Sequence, residues 1–213
     1  DGTYMAIDET HAHLNMPATF MWIPALKERP IQIKFNDLNR NNWKVATQLK
    51  STDNPNTFTA PDLNYFMDSP VELSNHHLVS WKDRNTDNAE QIIRLSSHSS
   101  DNKEVISDYA KMVERMVKEA KAVFGELPKF DYGIYTFLQD VNTGNAGDGM
   151  EHRNSTIITD TQPGIAGNEL DLLGTFSHEF FHAWNVERIR PKTLEPFNFS
   201  HANMSSELWF AEG

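Results

Sequence analysis

The sequence predicts an α+β fold, a β-rich N-terminal domain followed by a domain of mixed helices and strands. Residues 4 to 66 are rich in Asn, Thr, Asp and Pro, with short alternating apolar runs between turn clusters. Lys103 to Phe124 carries an unbroken apolar stripe at helical spacing, and Glu169 to Arg188 reads as a second long helix after two strand-like segments. Strand signals early and helix signals late make an α+β chain.

In chain order, Ile31, Ile33, Phe35 and then Trp43, Val45 alternate with polar residues, and turn clusters at 39–42 and 51–56 bound them. Period-2 runs of this kind predict antiparallel strands of a sandwich-like domain. The texture changes at Asp68-Ser69-Pro70, which places a boundary between residues 1–69 and 70–213. Leu78 to Trp81 and Ile92 to Leu95 are expected strands. In the helix over 103–124, Val105, Tyr109, Met112, Val113, Met116, Val117, Ala120 and Phe124 recur at steps of three and four, so one face packs inside. Gly125 and Pro128 end it. Tyr132, Ile134, Phe137 and Leu138 suggest a strand, Gly144, Gly147 and Gly149 a Gly-rich loop, and Ser155 to Thr159 another strand. After a Gly/Pro loop at 163–167, the helix over 169–188 is closed by Arg190-Pro191. Ser205 to Phe210 starts like a capped helix, with Ser205 or Ser206 at the N-cap.

Composition excludes several functions. The chain has no Cys, which rules out disulfides, thiolate metal sites and thiol nucleophiles, and leaves the redox compartment open. Nineteen Lys and Arg against thirty Asp and Glu leave a formal charge of −11, which argues against a nucleic-acid partner. No apolar run reaches the roughly 18–20 residues of a membrane span. Cytoplasm and periplasm of a bacterium fit this composition equally.

Chemistry concentrates in His178-Glu179-Phe180-Phe181-His182. On a helix, residues four apart share a face, so both imidazoles can converge on one metal ion while Glu179 reaches the water that the ion activates. Zinc suits such a set: three protein ligands leave a position for water, and Glu179 is then the general base. For the third ligand, spacing leaves Glu187, Glu195, Glu207 and Glu212 open, Glu187 being poorly phased with the histidines.

The run His178-Glu-Phe-Phe-His-Ala-Trp-Asn-Val-Glu-Arg-Ile-Arg-Pro191, with Leu208-Trp-Phe-Ala-Glu-Gly213 beyond it, resembles the glycyl aminopeptidase family, zinc peptidases of the gluzincin type that often carry a PDZ domain. Tyr65-Phe-Met-Asp-Ser-Pro-Val-Glu72, the strand in Lys129 to Leu138, and Gly149-Met-Glu-His-Arg-Asn-Ser-Thr156 are similar to further landmarks of that family. The resemblance implies a thermolysin-like catalytic domain that stops one residue past its third ligand, so that a catalytic Tyr and any PDZ domain lie beyond Gly213. It implies one Zn²⁺ held by His178, His182 and Glu212, with Glu179 as base. It also implies substrate binding at Glu151 and Gly149: related aminopeptidases place a strand Glu against the substrate's α-ammonium, although Asp148-Gly-Met-Glu-His152 departs from their Gly-x-Met-Glu-Asn pattern at both ends. The expected substrates are peptides with a free N-terminus, Gly or Ala preferred. Two rivals stand beside this reading. A zinc endopeptidase would cleave N-acetylated peptides whether or not Glu151 is present, and a catalytically incomplete peptide-binding fragment would hold no stoichiometric zinc. Arg188 and Arg190 are expected to pack at the helix end rather than bind substrate.

Overall fold

A computed structural model of the chain describes residue 3, residues 5–141 and residues 147–212. Tyr4, Gly144 and Gly213, all part of the sequence expectations, lie outside the described residues. Seven short strands come first: β1 (Met5–Ile7), β2 (His11–Leu14), β3 (Ile31–Lys34), β4 (Lys44–Thr47), β5 (Lys50–Ser51), β6 (Thr57–Ala60) and β7 (Val71–Ser74). They pair antiparallel into two sheets, ordered β1-β2-β7-β4 and β3-β6-β5. Two short helices, α1 (Met16–Thr19) and α2 (Leu63–Met67), help to close a core of Leu14, Phe35, Leu38, Leu63, Phe66 and Leu73. Strands β7, β2 and β1 were not legible in advance. β2 reads His-Ala-His-Leu, an alternation only four residues long with Ala12 and Leu14 as its whole apolar side, and β7, just past the boundary expected after residue 69, pairs inside the first sheet.

The second half holds a mixed five-stranded sheet, β8 (His77–Arg84), β9 (Glu90–His98), β10 (Ile134–Val141), β11 (Asp148–His152) and β12 (Ser155–Asp160), in the order β11-β12-β10-β9-β8. β9, β10 and β12 run parallel, with β8 and β11 antiparallel at the two edges. Helices α3 (Lys103–Phe124) and α4 (Glu169–Phe181) cover one face, and α5 (Leu208–Glu212) ends the described chain. α3 is the helix that the stripe predicts, capped by Asn102, whose side chain accepts from the backbone N–H groups of Glu104 and Val105. Its Tyr109, Val113 and Val117 are buried, whereas Phe124 in the last turn is exposed and stacks on Trp184.

Side-chain alternation along β10 and β12 sorts the layers. Phe137 and Ile158 join the core under α3 and α4, while their neighbours Leu138 and Ile157 meet Ala46 of the first sheet. Much of that second interface is polar. β2 turns Ala12 and Leu14 into the N-terminal core, so His11 and His13 face the other way, towards Glu72. No helix among the described residues is long and apolar enough to cross a membrane.

The second helix departs from expectation. α4 ends at Phe181, not Arg188, and His182 is its C-cap with helical φ and ψ. Val186 at φ 97° cannot continue a helix, and the chain turns back through bonds from Glu187 N–H to His182 O and from Ile189 N–H to Trp184 O.

Candidate metal centre

α4 is fixed by its apolar face. Leu172, Phe176 and Phe180 are buried at helical spacing, with Phe176 stacked on Phe137 at 5.1 Å and edge-on to Tyr109 at 5.4 Å. Truncating an aromatic buried like this costs about 3–5 kcal/mol, so the phase of the helix is firmly set. That phase puts His178 and His182 side by side, Nε2 to Nε2 at 3.1 Å.

The early end of α4 orients the second imidazole. His182 is 1% exposed, and its Nδ1–H donates to the carbonyl of Asn185 at 3.1 Å, which leaves Nε2 as an acceptor. Asn185 in turn donates from Nδ2 to the carbonyl of Phe210 at 3.1 Å, tying α5 to the same turn. α5 delivers Glu212, whose Oε2 lies 3.1 Å from His178 Nε2 and 3.6 Å from His182 Nε2. An acceptor nitrogen facing a carboxylate needs a proton or a cation between them. The edge of a tetrahedral zinc site with bonds of about 2.05 Å is about 3.3 Å, so the spacings among these three groups fit such an ion. Zinc ligands of this kind are commonly oriented by a carbonyl on the other ring nitrogen, the role Asn185 fills for His182.

Glu179 points from the same helix towards β11. It is 6% exposed, and its Oε2 has no hydrogen-bond partner. Burial, and then the charges of Glu151, Glu212 and Asp148, push its carboxyl up from 4.5 to about 8. Glu151, Glu179 and His182 bring ligand atoms within 4.8 Å of one another. Gly149, two residues before Glu151 and on the same face of β11, abuts the Glu179 side chain, and a Cβ built there would fall inside its carboxylate. At Gly149 the backbone of β11 therefore passes directly against Glu179. Gly147, expected in the same loop, immediately precedes β11.

The remaining candidates separate by their partners. Glu187 is buried beside Arg190 at 3.3 Å, Glu195 pairs with Arg190 at 3.2 Å, and Glu207 accepts from Ser205 and Ser206. Of the four, Glu212 is the carboxylate that faces both imidazoles. Arg188 donates to the carbonyl of Ala183 and Arg190 to that of Val186, so both arginines are held at the turn after α4.

Residues 1–75 match the Peptidase M61 N-terminal domain, and residues 171–213 match the M61 glycyl aminopeptidase domain. The chain belongs to the M61 glycyl aminopeptidase family. Among solved structures it is similar to an aminopeptidase N family protein from Idiomarina loihiensis, at 23% identity and TM-score 0.74 over 98% of this chain and 36% of that one. It is also similar to Legionella pneumophila aminopeptidase A in complex with aspartic acid, at 13% identity and TM-score 0.55 over 87% of this chain and 24% of that one. At these identities the likeness is one of fold, and the chain spans about a third or less of either protein. No curated protein matches it.

The segments that resemble the M61 family upstream of α4 are physically joined. Asp68 accepts from Arg153 N–H at 3.0 Å and meets Nδ1 of buried His152 at 2.8 Å. Asn154 donates to the Tyr65 hydroxyl at 3.1 Å. Burial works against charge on His152, but Asp68 outweighs it and raises the imidazole above its usual range. Arg153 pairs with Asp131 at 2.7 Å, which leaves Glu151 to face Glu179 and His182. Beside these residues runs a groove of about 900 Å³ lined by Tyr65, Tyr132, Glu151, Arg153, Glu187 and Phe197 among others. Sequence reasoning missed Asn185, the residue that couples the His182 ring to α5. Its only signal was its place in the run from His178 to Pro191.

Proposed function

We propose that this chain carries the zinc centre and general base of an aminopeptidase that removes N-terminal residues, Gly or Ala preferred, from peptides. The observation that carries the reading is the convergence of His178, His182 and Glu212 beside the buried Glu179, whose Oε2 has no hydrogen-bond partner, with Glu151 close to both Glu179 and His182. His178, His182 and Glu212 would hold one Zn²⁺. When bound, such an ion polarises the scissile carbonyl and makes water acidic near neutral pH.

The protein's own groups do the rest. Glu179 takes the proton from the attacking water and passes it to the leaving amine, a task for a carboxylate kept out of bulk solvent. Glu151 pairs with the substrate's α-ammonium and sets the scissile bond one residue away, which makes the site count from the chain end. β11 is the outer strand of its sheet, so an extended peptide can lie along it. Gly149 keeps the strand close enough for Glu151 and Glu179 to act on one substrate.

Elemental analysis of the protein and of His178→Ala, together with hydrolysis of a glycyl peptide and its N-acetylated form, tests this. Stoichiometric zinc that falls in the variant, and cleavage that needs the free amine and Glu151, are expected. Cleavage of the acetylated peptide unchanged by Glu151→Ala would favour an endopeptidase, and zinc content unaffected by His178→Ala would overturn the metal assignment.

A further inference from the structure

We propose a second divalent-cation site, separate from the catalytic residues, in the polar layer between the N-terminal sheet and the five-stranded sheet, with His11, Glu72 and His98 as ligands and Asp140 beside them. One nitrogen from each histidine and a carboxylate oxygen of Glu72 lie within 4.8 Å of one another. Asp140 touches both rings at Nδ1, 3.4 Å from His11 and 3.0 Å from His98. The two imidazoles stack at 4.6 Å.

Glu72 argues most directly for a ligand. It is 1% exposed, and neither carboxylate oxygen has a partner at ordinary hydrogen-bond distance and angle. Its nearest nitrogen neighbours are His11 Nδ1 at 3.5 Å and His13 Nδ1 at 3.6 Å. Those separations are long for hydrogen bonds, but close to the edge of about 3.3 Å in a tetrahedral zinc site. A buried carboxylate without hydrogen bonds is costly unless a cation neutralises it. His11 is also oriented from outside the cluster: Asp8 Oδ2 stands 3.4 Å from Nε2, and Asp8 is itself held by the backbone N–H groups of Thr10 and His11. A carboxylate on the far nitrogen is the usual support of a metal-bound imidazole.

The fold explains why these residues meet. His11 and Glu72 come from β2 and β7 of one sheet, and His98 and Asp140 come from β9 and β10 of the other, where they are register partners. An ion here would join the two sheets across a layer that has little apolar contact. A cavity of about 540 Å³, lined by Thr10, Trp43, His77 and His98 among others, gives an ion a way in past the partly exposed His98. Two imidazoles with carboxylate suit zinc, cobalt or nickel better than calcium or magnesium.

The test is zinc content after dialysis against zinc, for the full chain, His178→Ala, His98→Ala and the double variant. Two equivalents are expected for the parent, one for each single variant and none for the double. Zinc should raise the melting temperature of the His178→Ala protein, and adding His98→Ala should abolish the rise. If His178→Ala holds no zinc, or the rise survives His98→Ala, the site does not exist and protonated imidazoles alone hold the layer. Zinc that depends on His98 but not on His178 would uphold this site while refuting the catalytic one.

Discussion

Gly149→Ala isolates the contact between β11 and α4. The φ of Gly149 is not in the left-handed region, so alanine is acceptable to the backbone, and in a strand it would ordinarily stabilise by about 0.5–1 kcal/mol. Here the new Cβ collides with the Cγ, Cδ and Oε1 atoms of the buried Glu179, whose side chain must leave its present position to admit it. Overpacking of this kind costs about 1–3 kcal/mol. Combined with Glu179→Ala, which removes the obstructing atoms, the same substitution should lose its cost or reverse sign. Urea unfolding of the four proteins of this cycle should thus yield a coupling energy of about 1–3 kcal/mol between the two positions. Gly147→Ala is the control, since its Cβ would meet only the Thr159 carbonyl at 3.9 Å. Purely additive stabilities, or equal effects at Gly147 and Gly149, would show that β11 and Glu179 are not in the contact described.

Other substitutions probe the supports of the site. Asn185→Ala removes the tie between the turn after His182 and α5, so zinc affinity by competition with a chelator should fall about 10–100-fold. A change of less than twofold would mean the turn holds its shape alone. Gly174→Ala, in the exposed interior of α4 with nothing within 4 Å of the new Cβ, should stabilise by about 1 kcal/mol in thermal melts and leave zinc content unchanged. Because Asp68 raises His152 above 6.5, that pair stabilises the fold fully below about pH 6.5, and the contribution is lost as pH rises through the raised value. Asp68→Asn should flatten that part of the stability profile, and an unaltered profile would place the charge coupling elsewhere.

The sequence by itself determined whatever follows from local periodicity. The stripe over 103–124 specified α3 because one helical face needs burial, and the four-residue spacing of His178 and His182 put both imidazoles on one side of α4. Composition had already restricted any metal to imidazole and carboxylate ligands. The end of α4 was not legible, because nothing between Ala183 and Arg188 is a strong helix breaker; the positive φ at Val186 is imposed by the bonds around it. Spacing left four glutamates open and the family resemblance implied Glu212; tertiary structure shows that Glu212 is the one that faces both imidazoles, because Asn185 anchors α5 there. Tertiary structure alone showed that Gly149 makes room for Glu179, and that His11, Glu72, His98 and Asp140 share one buried layer. Periodicity reports which way a side chain faces on its own element, but what it faces is set by the packing of elements far apart in the chain.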